Sequence, residues 1–89
     1  MADFFGADIA ELRHLSVEMR HASTQLSEIA ARLGPQVSQV RWTGPSAQRF
    51  VSDWHSRLAP DLRKTSQSLA DAAERANANA RQQEETSHL

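Results

Sequence analysis

The stretch Arg41-Trp42-Thr43-Gly44-Pro45 lies near the middle of the 89-residue chain and separates two long periodic segments. Glycine permits the backbone angles of a tight turn, and proline suits the first turn of a helix but not its interior. The stretch therefore predicts that the chain reverses at residues 42–45, between two helices that run antiparallel.

The segment before the turn has the pattern of an amphipathic helix. Asp8 can cap its start, and Glu11, three residues on, can complete a capping box. Apolar or small side chains then recur at alternating steps of three and four, at Leu12, Leu15, Met19, Ala22, Leu26, Ile29 and Leu33. The sequence predicts a helix over about 9–41, which Pro35 bends from its solvent face without ending it.

The segment after the turn repeats this pattern. Its stripe consists of Ala47, Phe50, Val51, Trp54, Leu58, Leu62, Thr65, Leu69, Ala72 and Ala76. The pattern predicts a second helix over about 46–80, with Pro60 also facing solvent. Residues 81–89 have no apolar anchor before Leu89, so we expect a flexible tail there.

Composition excludes several classes of function. The chain has no cysteine, so it can form neither disulfides nor cysteine-ligated metal sites. Its 10 Lys+Arg against 11 Asp+Glu provide no basic field for a nucleic acid. Its apolar runs are too short for stable insertion in a membrane, and its acidic start does not resemble a cleavable signal peptide.

The sequence thus predicts an all-α fold, a single-domain helical hairpin over residues 1–89. One hairpin cannot cover both of its apolar stripes, so we expect dimerisation to complete a four-helix bundle. The predicted dimer interface comprises Leu12, Leu15, Met19, Leu26, Ile29, Leu33, Phe50, Trp54, Leu58, Leu62 and Leu69.

Three groups of side chains could form a functional site, and each also has a simple structural explanation. His14, Glu18 and His21 share a helix face that could meet a metal, but that face is the solvent one. Residues 52–56 include the serine, histidine and aspartate types of a hydrolase triad. Consecutive helical positions point in different directions, so these side chains cannot hydrogen-bond in series. Phe4 and Phe5 fit a hydrophobic staple or a contact at the end of a dimer, and the alternative is a docking peptide for another protein. We expect no enzyme activity, cofactor or metal.

A Trp-x-Gly motif centred between two long amphipathic helices resembles the WXG family of type VII (ESX) secretion systems. The motif here is Trp42-Thr43-Gly44, and the resemblance covers nearly the whole chain. It implies a hairpin that pairs antiparallel with another WXG-type hairpin and is exported folded by the ATPase of a membrane machine. Such proteins are made in the cytoplasm, secreted without a cleavable signal peptide, and act as secreted, virulence-associated factors or as escorts.

The chain departs from the family pattern in one respect. Members that carry the export signal have a C-terminal Tyr-x-x-x-Asp/Glu, and this sequence has no tyrosine. The gap favours the escorted half of a heterodimer, although a homodimer stays open. Two rival interpretations are an intracellular scaffold or chaperone hairpin that pairs with a helical client, and a free-standing relative of the targeting domains of larger secreted toxins.

Overall fold

The computed structural model describes residues 8–87, with side chains through Thr86. Helix α1 spans Ile9–Gln39, and the second arm consists of α2 over Pro45–Asp53, a π-helical turn over Trp54–Leu58 and α3 over Ala59–Ser87. The described residues contain no strand. The two arms pack side by side in a rod with extents of 65 × 21 × 13 Å. The predicted all-helical hairpin is confirmed.

Helix α1 begins at the predicted cap. Asp8 has extended backbone angles, and its Oδ1 accepts a hydrogen bond from the backbone N–H of Glu11 at 3.1 Å. The backbone N–H of Leu12 donates to the Asp8 carbonyl at 2.9 Å, which closes the first helical turn. This side-chain bond satisfies one of the free amides that every helix start presents.

Pro35 lies inside α1 and is exposed, so the helix runs through it as predicted. The helix ends at Gln39, two residues before the predicted end, because Val40 already has extended backbone angles. Residues 40–44 connect the arms, and Gly44 has a φ of 108°, which L-residues with a side chain rarely adopt. Pro45 is the first residue of α2, a position where its missing amide costs nothing.

The π-helical turn is a feature that the sequence analysis did not predict. The backbone N–H of Ala59 donates to the carbonyl of Trp54, five residues back. Pro60 follows directly, and a proline ring clashes with the carbonyl four residues before it, so a widened turn relieves that contact. The wide turn also aligns Trp54 with Ala59, and both are 5% exposed. Pro60 itself is half-buried, which corrects the prediction that it faces solvent.

Most of the buried positions in the contact between the arms are occupied by small side chains, whereas the leucines are half-buried or exposed. We call this set the seam; it consists of Ser16 and Ser23 on α1 and of Ala59, Ser66, Ala73 and Ala80 on α3. The members on each helix are seven residues apart, so each set lies on one face. All are buried except Ser23, which is half-buried.

Hydroxyl groups connect the two helices across the seam. Ser23 Oγ donates to the Ser66 carbonyl at 2.7 Å, and Ser66 Oγ donates back to the Ser23 carbonyl at 2.8 Å. Ser16 Oγ donates to the Ala73 carbonyl at 2.8 Å. Bonds from a short side chain to the opposite backbone require close helix axes, which only small residues permit. The seam therefore fixes both the spacing and the register of the arms.

The second arm extends further than predicted. Helix α3 continues to Ser87, whereas the sequence analysis expects a flexible tail from Arg81 onward. Arg13 accounts for part of this difference, because its two terminal nitrogens donate to both carboxylate oxygens of Glu84 at 2.9 and 3.1 Å. The run Arg81-Gln82-Gln83-Glu84-Glu85 also consists of good helix formers. Phe4, Phe5 and residues 88–89 lie outside the described part of the chain.

Candidate partner-binding face

The apolar side chains of the predicted interface lie beside the seam and are incompletely covered. Leu12, Met19, Leu26, Ile29, Leu33, Leu58, Leu62 and Leu69 are all half-buried. Leu15 is 49% exposed and Phe50 is 39% exposed. Trp54 differs from the rest because it is 5% exposed within the hairpin itself. Most of these side chains therefore lie on one flank of the hairpin and not in its interior.

Two open grooves follow this flank, and Leu26 lines both of them. The first groove, of about 290 Å³, is formed between the arms by Leu26, Trp54, Leu58 and Leu62, with Asp61 and Thr65 at its rim. The second, of about 580 Å³, lies along α1, where Ala22 and Ile29 adjoin Leu26 and Gln25, Glu28 and Arg32 are the polar lining. We call the surface around these two grooves the apolar face.

The total surface of this elongated hairpin is larger than that of a compact protein of the same mass. A compact monomer of this mass would expose about 5,200 Å² by the usual scaling of area with mass. The chain, of 9.9 kDa, exposes 6900 Å². The excess of about 1,700 Å² falls within the ~1,000–2,500 Å² that each partner of an obligate dimer buries. Among the described residues, no large side chain is fully buried.

The connection between the arms carries an exposed aromatic pair. Trp42 is 49% exposed, and its ring centroid lies 5.9 Å from that of Phe50 at an interplanar angle of 42°. Such a tilted contact is a favourable arrangement for two aromatic rings. Val40 beside it is 53% exposed. The turn thus presents an apolar tip to solvent, with Arg41 and Arg49 exposed on either side.

Charged pairs join the two arms in the half of the hairpin opposite the turn. Arg13 and Glu84 form the bidentate pair described above, and Arg20 pairs with Glu74. The hydrogen bond and the negative charge of Glu84 raise the pKa of Arg13 above its usual value. Because Arg13 and Glu84 are both substantially exposed, we expect a modest contribution of this pair to stability.

The side chains considered above as a metal site make ordinary local contacts. His14, Glu18 and His21 are exposed, and His21 Nδ1 lies 3.6 Å from Glu18 Oε2. Within residues 8–87, no group of three or more His, Asp or Glu side chains is placed to hold a metal ion.

The residues on the second arm that have the types found in a hydrolase triad also contact close neighbours in the sequence. Ser56 Oγ donates to the Ser52 carbonyl at 2.8 Å, one turn back along its own helix. Asp53 Oδ2 lies 3.6 Å from Arg57. His55 is exposed and lies on the same helix. The structure therefore does not bring these residues together as a nucleophile, a base and an orienting acid.

No protein-family model, curated protein or solved structure matches the chain. No helix among residues 8–87 is both long enough and apolar enough to cross a bilayer.

The leucines of the apolar face were predicted from the sequence as a dimer interface, whereas the seam was not predicted. The signal for the seam was present, because serine and alanine recur every seven residues at 16 and 23 and at 59, 66, 73 and 80. A search for apolar periodicity alone does not detect it, because serine counts as polar.

Proposed function

We propose that this chain is a non-enzymatic, WXG-type hairpin that is secreted folded by a type VII (ESX) system. In this proposal it acts by association, as a secreted factor or as the escort of a partner. The observation that supports it most is the apolar face, because a hairpin that buries alanine and serine internally leaves its leucines for another molecule. Pairing with a second WXG-type hairpin would close a four-helix bundle.

The connection between the arms supports the same proposal. The motif residues Trp42, Thr43 and Gly44 are all exposed, and the indole packs on Phe50 at the tip of the rod. An exposed Trp at the tip is available to the secretion machine or to the end of an antiparallel partner. Aromatic residues are favoured at such contacts, because they bury a large area with few rotatable bonds.

A fractionation experiment in the organism that encodes the chain tests this function. We compare the medium with the cell fraction for the wild type, for Trp42→Ala and for the control Val40→Ala, with the type VII ATPase intact or inactivated. We expect secretion of the wild type and the control only with the active ATPase, and retention of Trp42→Ala in the cell. Secretion that does not depend on the ATPase would contradict the proposal.

The intracellular scaffold interpretation predicts a different result in the same experiment. In that case all three variants stay in the cell whether or not the ATPase is active. Deletion of residues 81–89 adds a further test, because the missing tyrosine predicts that this end carries no export signal of its own. Secretion lost on that deletion, in a variant that remains folded, would place a signal in the tail and contradict the interpretation that this chain is the escorted partner.

A further inference from the structure

Arg41 differs from every other basic residue of the chain in its backbone. The 10 Lys and Arg residues all lie between Arg13 and Arg81, inside the described part of the chain. All of them except Arg41 lie in α1, in α2, in the π-helical turn or in α3. Arg41 lies in the connection, residues 40–44, directly after Val40 with its extended backbone. The connection therefore presents the one arginine that is not held in a helix.

The connection is open to a protease. Exposed loop tips are the preferred sites of proteolytic cleavage, because a helical segment must unwind before its backbone can enter an active site. Residues 40–46 are all exposed. A Cβ built on Gly44 would meet no atom within 4 Å beyond the neighbouring residues of the chain. The backbone around Arg41 can thus be bound without unwinding either arm of the hairpin.

The charge around Arg41 fits a protease that selects basic side chains. Residues 29–52 contain three arginines and no Asp or Glu. The nearest carboxylates are Glu28 on one side and Asp53 on the other. A protease of this class binds arginine in an acidic pocket, so carboxylates close to the arginine would weaken binding by repulsion. The segment around Arg41 has none of them.

Arg81 is the strongest competing site, because it is exposed near the end of α3, where helices fray. Glu84 and Glu85 follow it closely in the sequence. Glu84 also accepts two hydrogen bonds from Arg13, which hold this part of α3 against α1. Both the negative charge and the ion pair oppose cleavage, so we expect Arg41 to be cut before Arg81.

We propose that the connection is a processing site, at which a protease selective for arginine hydrolyses the peptide bond between Arg41 and Trp42. Water is the second reactant. Its oxygen joins the Arg41 carbonyl carbon, the carbon–nitrogen bond breaks, and both protons of water end on the Trp42 nitrogen. The products are two chains, residues 1–41 with a new carboxylate and residues 42–89 with a new α-ammonium group.

The two chains should remain paired after the cut. The side-chain hydrogen bonds that join the arms lie at residues 13–27 and 66–84, away from the connection. The connection keeps the arms at a high effective concentration, and cleavage makes their pairing depend on the concentration of two separate chains. Processing therefore converts a fixed hairpin into a rod whose arms separate on dilution.

Limited digestion of the purified full chain with trypsin tests the position of the site. Mass spectrometry at early times should show the fragments 1–41 and 42–89, formed at least about tenfold faster than any other product because no helix has to open. Arg41→Gln should remove this first cut. Arg49→Gln, which changes an exposed arginine in α2, is the matched control and should leave it unchanged. A first cut at Arg81 or at any other helical site would overturn the proposal.

Gel filtration of the cut protein tests whether the arms stay paired. Both fragments should elute together and retain the helical circular dichroism signal. Their unfolding midpoint should fall more steeply on dilution than that of the uncut chain. Fragments that elute apart at the concentration of the uncut control, or that lose their helical signal there, would overturn the paired product.

The chain recovered from its own organism shows whether the site is used. We expect mass spectrometry to find an N-terminus at Trp42, and this N-terminus should be lost in Arg41→Gln. Intact chain alone, in both the medium and the cells, would overturn the processing and leave the type VII role standing. A chain that is cut at Arg41 but never secreted would support the processing and reject the type VII role, so the two proposals can fail separately.

Discussion

The size of a side chain, and not only its polarity, determines whether it is buried between the arms of this hairpin. Ala73 and Ala80 are completely buried, while every leucine in the described residues retains some exposure. Ser23 and Ser66 satisfy each other's hydroxyls and carbonyls across the arms. A buried hydroxyl that finds a partner avoids the free-energy penalty of desolvation. The residues that hold the monomer together are therefore the ones that look least hydrophobic.

The seam makes a direct prediction at Ala73. Ala73→Leu should lower the free energy of unfolding by about 1–3 kcal/mol, because the added carbons have no space between two closely packed helices. Ala78→Leu is the matched control, since Ala78 lies on the same helix and is exposed. Urea unfolding followed by circular dichroism measures both. Equal stability of the two variants would show that the seam is not tightly packed.

The two tryptophans should differ sharply when each is replaced by alanine. Trp54 is 5% exposed and Trp42 is 49% exposed. We expect Trp54→Ala to cost about 3–5 kcal/mol, as for other buried aromatics, and Trp42→Ala to cost much less. Loss of tertiary structure in Trp42→Ala would mean that the tip is needed for folding, and the secretion assay would then require a more conservative Trp42→Phe variant.

At the scale of elements, α1 could be predicted well and the second arm only in part. The cap at Asp8, the passage through Pro35 and the reversal of the chain follow from local chemistry that a sequence displays. The π-helical turn before Pro60 could not be predicted in the same way. A proline in a helix can bend it, break it or widen it, and the burial of Trp54 and Ala59 within the hairpin favours the widened turn here.

The two helix-interior prolines should therefore respond differently to replacement. Pro35 is exposed in a regular helix, so Pro35→Ala should stabilise the protein by up to about 3 kcal/mol. Pro60→Ala should stabilise it less, because the seam holds the widened turn in place and the restored amide must find an acceptor there. Thermal unfolding of both variants measures this difference. A larger gain at Pro60 than at Pro35 would contradict the role given to the seam.

The end of α3 is helical although its lack of apolar side chains predicted a flexible tail. Residues 81–87 have no large apolar side chain, yet they continue the helix and Glu84 pairs with Arg13 on α1. That pairing depends on the register that the seam imposes, and the seam was not apparent from the apolar pattern. The apolar face, by contrast, could be predicted residue by residue, because its leucines follow the helical repeat that sequence analysis detects.

At the scale of the whole molecule, the hairpin is a well-defined shape with an incomplete core. Its arms are held by small residues and a few hydrogen bonds, while its leucines line open grooves. Small domains are marginally stable even when compact, and this one exposes about 1,700 Å² more than a compact chain of its size. We therefore expect folding and association to be coupled.

Leu26 is the residue at which that coupling is tested most sharply by mutation. Leu26→Asp would place a charge at the centre of the apolar face, where burial without a partner costs several kcal/mol. We expect loss of both the dimer and the helical circular dichroism signal. Ser38→Asp is the control, since Ser38 is exposed near the end of α1, away from the grooves. A monomeric Leu26→Asp variant that stays folded would separate association from folding.

The central claim is that this hairpin folds stably only together with a second hairpin, and dilution of the purified wild-type chain measures this most directly. Sedimentation equilibrium and thermal unfolding are recorded on the same samples over a hundredfold range of concentration. If the second hairpin is another copy, we expect a species of twice 9.9 kDa and an unfolding midpoint that rises with concentration. A folded species of 9.9 kDa, with an unfolding midpoint independent of concentration, would contradict it.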